Sequence, residues 1–205
     1  MKKTFRINDG VDAGTIVYDP KCPKVVYDRE FTAGNKATIC MPFGLTSATY
    51  SSQGSFYYFN NVDDSGKLEF KPASYPGAYT PYIFQASTTC KPFTNITNKE
   101  IKASAGQAME VGKTNATAGT FTFKGTLANV ADLKSSNSSN TVYGWVSSDG
   151  SFKKAGSNVS IDAFRAYILG PSSATARLNV VFDDEATGIE TMNREPLTVN
   201  QTYNL

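Results

Sequence analysis

The feature that most constrains the fold of this chain is an alternation of apolar and polar residues with a period of two. It recurs in short runs along most of the sequence. In VVYDREF, for example, Val25, Tyr27 and Phe31 fall on one face of an extended chain, together with the aliphatic stem of Arg29. Clusters of Gly, Asn, Asp, Ser and Pro separate the runs, as is typical of strands joined by turns.

Several runs predict particular strands. KATICMPF is expected to follow a turn in TAGN, SFYYFN to pair with KLEFK, and TVYGWVS to pair with SFKKA around Asp149-Gly150. GTFTFKG, AFRAYIL and ARLNVVF complete the set; the inward residues of the last run are expected to be Ala176, Leu178, Val180 and Phe182. Helix is limited to a turn or two in LTSATYSS and NVADLKSS. We therefore predict an all-β fold, an antiparallel β-sandwich of the jelly-roll or immunoglobulin-like type with very little helix.

The length of the chain bounds its domain organisation. At 205 residues it can bury a core and has a size common for one all-β domain. Residues 1–24 are expected to form lead-in strands packed on the domain, residues 25–189 the β-sandwich module, and residues 190–205 a tail or the start of a sorting or anchoring segment. MKKTFRINDG is basic but lacks the apolar stretch of a signal peptide, so we expect a segment of a longer chain.

The composition excludes several classes of function. Because the chain has no histidine, Ser-His-Asp and Cys-His catalytic sites and histidine-ligated zinc sites are excluded. Cys22, Cys40 and Cys90 form no CxxC pair, so neither a zinc knuckle nor a thioredoxin-like motif is present. The 20 Lys and Arg residues are scattered and nearly balanced by 18 Asp and Glu residues, which argues against a nucleic-acid partner. No apolar run reaches the about 18 residues of a transmembrane segment.

Three consecutive acids, Asp183, Asp184 and Glu185, follow the last predicted strand. Extended backbone would place Asp183 and Glu185 on one face and Asp184 on the opposite face, so the three could not converge on one ion without a bulge. We predict that they form the polar exit of the strand and hold no metal. No cofactor is predicted for the chain.

Aromatic residues are abundant, with 11 Tyr, 13 Phe and 1 Trp. In SYPGAYTPY, Tyr75, Tyr79 and Tyr82 lie in or beside a loop rich in Pro and Gly, where exposed rings would be able to stack on a sugar. Trp145 is a fourth candidate for such a ligand-binding surface. The alternative is that these rings belong to the core, since Phe and Tyr dominate the packing of β-sandwiches.

Five segments, taken in order, resemble a module known from other proteins: YDREFTAGNKATICMPF, TPYIFQA, YGWVSSDGSFKKA, AFRAYI and ARLNVVFDDEATGI. The combination is similar to a β-rich module of secreted or surface proteins of gut Bacteroidetes, found in C-terminal regions after leucine-rich repeats or other surface domains. The resemblance covers about residues 25 to 189, and Met41 stands where the module usually has Leu. FDDEATGI resembles the closing signature of the module, and residues 202–205 resemble the start of a tail.

The resemblance implies a location more than a mechanism, because it carries no catalytic residue. It implies an extracellular or outer-surface, non-enzymatic module with a structural, adhesive or display role. The expected partners are other domains of the same surface protein and, on the binding alternative, host or dietary glycans or host proteins. A glycan-binding module that uses exposed aromatics is the first alternative. The second is a glycoside hydrolase with two carboxylates, such as Asp184 and another acid.

Overall fold

A computed structural model of the chain describes residues 4–104 and 109–183 and confirms the all-β class. The helical elements among the described residues are one short helix, α1 (Ser47–Tyr50), within the predicted run LTSATYSS, and one 3-10 turn (Ser135–Asn137), which begins in the predicted run NVADLKSS and ends one residue beyond it. The strands, in chain order, are β1 (Thr4–Asn8), β2 (Asp19–Asp28), β3 (Lys36–Cys40), β4 (Gly54–Val62), β5 (Leu68–Pro72), β6 (Pro81–Ala86), β7 (Ile96–Ile101), β8 (Glu110–Asn115), β9 (Gly119–Thr126), β10 (Thr141–Val146), β11 (Ser151–Lys154), β12 (Arg165–Gly170), β13 (Arg177–Leu178) and β14 (Val180–Phe182).

The strands form three sheets. The five-stranded sheet has the order β14-β5-β4-β6-β3, the six-stranded sheet β13-β11-β10-β12-β9-β8, and the three-stranded sheet β1-β2-β7. Most neighbours are antiparallel, as predicted, but β1 runs parallel to β2 and β14 runs parallel to β5. Both predicted hairpins are present, β4 with β5 and β10 with β11. Gly150 adopts the positive φ (58°) that the second turn requires.

The five-stranded sheet is apolar on both faces. On one face Phe59 and Phe70 pack against Phe123 and Phe152 of the six-stranded sheet, and the ring centroids of Phe70 and Phe123 lie 5.4 Å apart. The opposite face, which includes Phe84, contributes to a second cluster with residues of the three-stranded sheet. Burial on both faces explains why β6, with the sequence PYIFQA, is a nearly continuous apolar run rather than an alternating one.

The three-stranded sheet contains the predicted lead-in region. Ile7 of β1, with Cys22 and Val25 of β2, lies in the same core cluster as Phe84. The predicted boundary between residues 24 and 25 lies inside β2. All three cysteines are free thiols.

The last described strand differs from its prediction. ARLNVVF is not one strand, because β13 pairs with β11 in the six-stranded sheet and β14 pairs with β5 in the five-stranded sheet. The chain changes sheets at Asn179, whose backbone carbonyl accepts a hydrogen bond from the Leu68 N–H at 2.9 Å. Leu178 and Phe182 are buried as predicted, but Ala176 is exposed and Val180 is only partly buried. Among the described residues, no helix is sufficiently long and apolar to cross a membrane.

Candidate ligand-binding groove

A groove lies where two neighbouring strands of the six-stranded sheet separate. β10 pairs with β12 only over its first three residues, from Thr141 opposite Gly170 to Tyr143 opposite Ile168. Beyond that point the two strands diverge, and a groove of about 500 Å³ opens between them. We call it the split groove. Its lining includes Gly144 from β10, Arg165 from β12, two residues of β3, and residues 159–162 of a loop.

Hydrogen bonds to β3 compensate for the pairing that is lost in the split. The indole N–H of Trp145 donates to the Lys36 carbonyl at 2.7 Å. The backbone N–H of Ala166, which faces the split, donates to the Thr38 hydroxyl at 3.1 Å. Because buried backbone donors need a partner, β3 acts as the floor of the groove and joins the two sheets there.

A buried arginine lies against this floor. Arg29 is only 8% exposed, its Nη1 donates to the Thr38 carbonyl at 2.8 Å, and its guanidinium lies 4.5 Å from the centroid of the Phe31 ring. Burial lowers the pKa of Arg29, although an arginine stays charged in proteins. Among the described residues, no carboxylate lies within ion-pair distance of it. A buried cation without a carboxylate in direct contact is costly, and the Thr38 carbonyl, the Phe31 ring and Tyr27 offset part of that cost.

The second arginine of the split groove is neutralised. Arg165 donates from Nη2 to Asp9 at 2.6 Å and from Nη1 to the Tyr27 hydroxyl at 2.8 Å, and Asp162 lies 3.9 Å away. Burial raises the pKa of Tyr27, and the positive charges of Arg29 and Arg165 oppose that rise. The Tyr27 phenol therefore stays protonated between two guanidinium groups.

The remaining charges give the split groove an excess of cations. Lys153 and Lys154 also line it, whereas Asp162 is the one carboxylate among its lining residues. Lys153 pairs with Asp149, but no ion pair involves Lys154 within the described part of the chain. The groove thus has two cations, Arg29 and Lys154, that are not matched by carboxylates of the described residues.

The structure does not bring the four predicted ligand-binding aromatics together. Tyr75 is 74% exposed, but Tyr79 and Tyr82 are only 1% and 7% exposed and belong to the core cluster beside the three-stranded sheet. The hydroxyl of Tyr79 donates to the Lys102 carbonyl at 3.0 Å, and burial raises its pKa to about 12. The expectation of exposed rings at Tyr79 and Tyr82 is therefore corrected, since neither ring face can reach a sugar. Trp145 alone of the four lines the split groove.

Sequence reasoning missed Arg29 as a functional candidate, although a signal was present. Arg29 occupies an apolar position in the alternation of VVYDREF, and the sequence interpretation assigned only its aliphatic stem to the core. The structure buries the charged end as well. A cation on the apolar face of a predicted strand is unusual enough to mark a possible site.

The acids of the loops have local partners. The Asp63 carboxylate accepts hydrogen bonds from the Ser65 N–H, the Ser65 hydroxyl and the Lys67 N–H. These bonds, with the hydroxyl contributing most, hold the pKa of Asp63 below its ordinary value. Asp183 lies 3.3 Å from the Lys71 ammonium. Asp184 and Glu185 lie outside the described residues, so the prediction for the acidic triplet is tested only at its first member.

Comparisons with protein-family models, curated proteins and solved structures gave no match to this chain.

Proposed function

We propose that this chain is a non-enzymatic adhesive or display module of a secreted or surface-exposed bacterial protein, and that the split groove is where it contacts its ligand. The observation that carries the proposal is the composition of that groove. Cations and one indole ring line it, with a single carboxylate, Asp162, among its lining residues. Such a surface suits binding, because apolar rings and a few fixed polar groups provide orientation and specificity.

The rest of the molecule supports a scaffold role. Two core clusters, one on each face of the five-stranded sheet, fix the sheets that form the groove. Acids in the loops serve turns, as Asp63 does, and Asp132 likewise accepts hydrogen bonds from Lys134 and Ser135. An extracellular or outer-surface location and other domains of the same protein as partners follow from the sequence resemblance alone and are part of this proposal.

The second candidate function is glycan binding, and the position of Trp145 favours it. This ring lies in the split groove and is held by its hydrogen bond to Lys36 and by an edge contact with Phe152 at 5.1 Å between centroids. A fixed indole at the wall of a groove is a suitable stacking surface for a sugar ring. The hydrolase alternative has less support. A glycosidase uses two carboxyl groups about 5–10 Å apart, whereas Asp162 is the one carboxylate among the lining residues of the split groove.

A glycan array tests the binding role. We expect reproducible binding that Gly144→Leu abolishes, because residue 144 lines the groove and a Cβ there meets no other atom within 4 Å, which leaves room for a side chain that blocks the ligand. Tyr75→Ala is the matched control, since it removes a highly exposed ring outside the groove lining. Binding that Tyr75→Ala abolishes and Gly144→Leu leaves intact would move the site away from the groove.

Hydrolysis is checked on the same ligands. Each bound glycan is incubated with the protein, and new reducing ends are counted against a protein-free control. We expect no release above that control. Repeated turnover per protein molecule would overturn the non-enzymatic proposal, while leaving the position of the groove intact.

A further inference from the structure

We infer that the split groove binds a sugar that carries an oxyanion, and that Arg29 is the residue that receives the anion. This inference rests on the proposed binding role of the groove. It adds the chemical class of the ligand and one residue that determines specificity for it.

The first argument is the state of the Arg29 guanidinium. It has five N–H donors; Nη1 donates to the Thr38 carbonyl, and Tyr27 is a second hydrogen-bonding partner. Across the described residues, the only fully enclosed side-chain nitrogen or oxygen without a partner is Ser151 Oγ. The remaining N–H groups of Arg29 are therefore not fully enclosed, and Arg29 lines the split groove.

The second argument is the shape of the opening. Arg29 lines the groove but is only 8% exposed, so a ligand group that contacts it must be small. An oxyanion fits that requirement, since two of its oxygens match the two parallel N–H groups of a guanidinium. The guanidinium lies 4.5 Å from the centroid of the Phe31 ring and donates to the Thr38 carbonyl, so the cation is already oriented before a ligand arrives.

The third argument is the electrostatic surroundings. Four cations line the groove, namely Arg29, Lys153, Lys154 and Arg165, against the carboxylate of Asp162. Asp9 and Asp149 bind Arg165 and Lys153 directly. The positive charge that is left lies at Arg29 and at the exposed Lys154. An anion would relieve the cost of the buried cation, whereas a neutral ligand would not.

The fourth argument assigns the rest of the ligand. Trp145 lines the same groove and its ring is fixed by the bond to Lys36. A groove lined by both an apolar ring and a cation suits a ligand that has a stacking face and an oxyanion, which is the chemistry of a uronic acid or a sulfated sugar. Both ligands carry an oxyanion on a sugar ring, and the test below distinguishes the carboxylate of a uronic acid from the sulfate of a sulfated sugar.

The test uses trigalacturonic acid, the same trisaccharide after carboxyl reduction, and a 6-sulfated galactotriose. Trp145 is the single tryptophan of the chain, so its fluorescence reports on the groove itself. We expect an acidic sugar to bind about tenfold to a hundredfold more tightly than its neutral counterpart. This is the gain in affinity that hydrogen bonds to one charged group provide. Preference for the carboxylate or for the sulfate identifies the source of the oxyanion, and either supports the inference.

Variants assign the effect to Arg29. Arg29→Met should remove the preference for the acidic sugar, and Arg29→Lys should retain part of it because the charge remains without the planar fork. Should Arg29→Met fail to fold, Lys154→Ala provides the second test and should weaken acidic-sugar binding alone. Lys67→Ala is the matched control, because it removes the same charge from an exposed residue outside the groove lining.

Three results would overturn the inference. If the acidic and the carboxyl-reduced trisaccharides bind equally well, the groove binds a sugar but does not recognise an oxyanion. A preference that survives Arg29→Met in a folded protein would remove the role of Arg29. If none of the three sugars binds, and the glycan array shows no loss with Gly144→Leu, the proposed function of the groove fails together with the inference.

Discussion

Trp145 and Lys36 join the two main sheets, because the indole N–H of Trp145 donates to the backbone carbonyl of Lys36 at 2.7 Å. Trp145 belongs to β10 of the six-stranded sheet, and Lys36 is the first residue of β3 in the five-stranded sheet. The bond crosses from one sheet to the other at the edge of the split groove. It therefore fixes the position of one wall of the groove, β10, relative to β3 at its floor.

Trp145→Phe is expected to lower the free energy of unfolding by about 1 kcal/mol, because the aromatic contact remains while the Lys36 carbonyl loses its donor. Trp145→Ala should cost more, about 2–3 kcal/mol, since it also removes the packing of this partly buried ring against Phe152. Urea unfolding followed by circular dichroism measures both. Tyr75→Phe, at an exposed position, should stay within about 0.5 kcal/mol of the parent. Equal stabilities of the parent and Trp145→Phe would contradict the role of the indole bond.

Two glycines of the six-stranded sheet form a matched pair. A methyl group at Gly125 would overlap the Cys40 side chain, lying 2.8 Å from its Cβ, whereas a methyl group at Gly144 would meet nothing within 4 Å. Gly125→Ala should therefore destabilise the protein by about 1–3 kcal/mol. Gly144→Ala should be neutral or stabilising by up to about 1 kcal/mol. The urea midpoints of unfolding of the two variants test this difference in stability. Similar midpoints would contradict it and would show that β9 shifts away from β3 at little cost.

The Asp63 carboxylate should contribute to acid stability. Its pKa in the folded protein lies below the ordinary value of 3.8, chiefly because the Ser65 hydroxyl donates to it. Its contribution is therefore fully present above pH 3.8 and is lost as the pH falls through the lower, folded pKa. In Asp63→Ala, the free energy of unfolding should fall less steeply than in the parent as the pH decreases through that window. A carboxyl carbon titration by NMR measures the pKa directly, and a folded value at or above 3.8 would contradict the expectation.

The acidic residues 183–185 are expected to hold no structural metal. Asp183 is paired with Lys71 at 3.3 Å, which satisfies part of its charge. Adding millimolar calcium, and then a chelator, should leave the Tm unchanged. A calcium ion that bound only the folded state would raise the Tm, and we expect no such binding. Lys71→Ala serves as the control that frees Asp183. A rise of several degrees with the parent protein, reversed by chelation, would show a calcium site.

Local sequence patterns predicted both hairpins, because a hairpin depends on neighbouring residues; the turn chemistry of Asp149-Gly150 is an example. The strand in VVYDREF is confirmed only in part, since β2 ends at Asp28, although Phe31 beyond it is buried as the alternation predicts. β7 and β8 were not among the predicted strands. The change of sheet at Asn179 could not be predicted. Leu178 and Phe182 both belong to the apolar cluster between the two larger sheets, so the alternation continues across the break, and only distant partners in β11 and β5 reveal it.

One of the four aromatic candidates lies in the proposed groove, and the others could not be sorted from the sequence for a related reason. Trp145 lines the split groove, whereas Tyr79, a loop residue with a positive φ of 57°, is buried in the core. The convergence of Arg29 with Trp145 depends on how far β10 and β12 separate, which no local pattern encodes. A groove made by the absence of strand pairing leaves no motif in the sequence.

The pairing of β14 with β5 also has a consequence for how the chain is made. Val180 and Leu68 are partners in that parallel pair, so the outer edge of β5 stays uncovered until the final described residues have been synthesised. Long-range contacts of this kind form slowly and late, because the intervening chain must be ordered before they can close. A ribosome-bound chain that stops short of residue 180 therefore presents an open sheet edge to its surroundings. We expect such truncated chains to be the form of this protein that chaperones bind and proteases cleave.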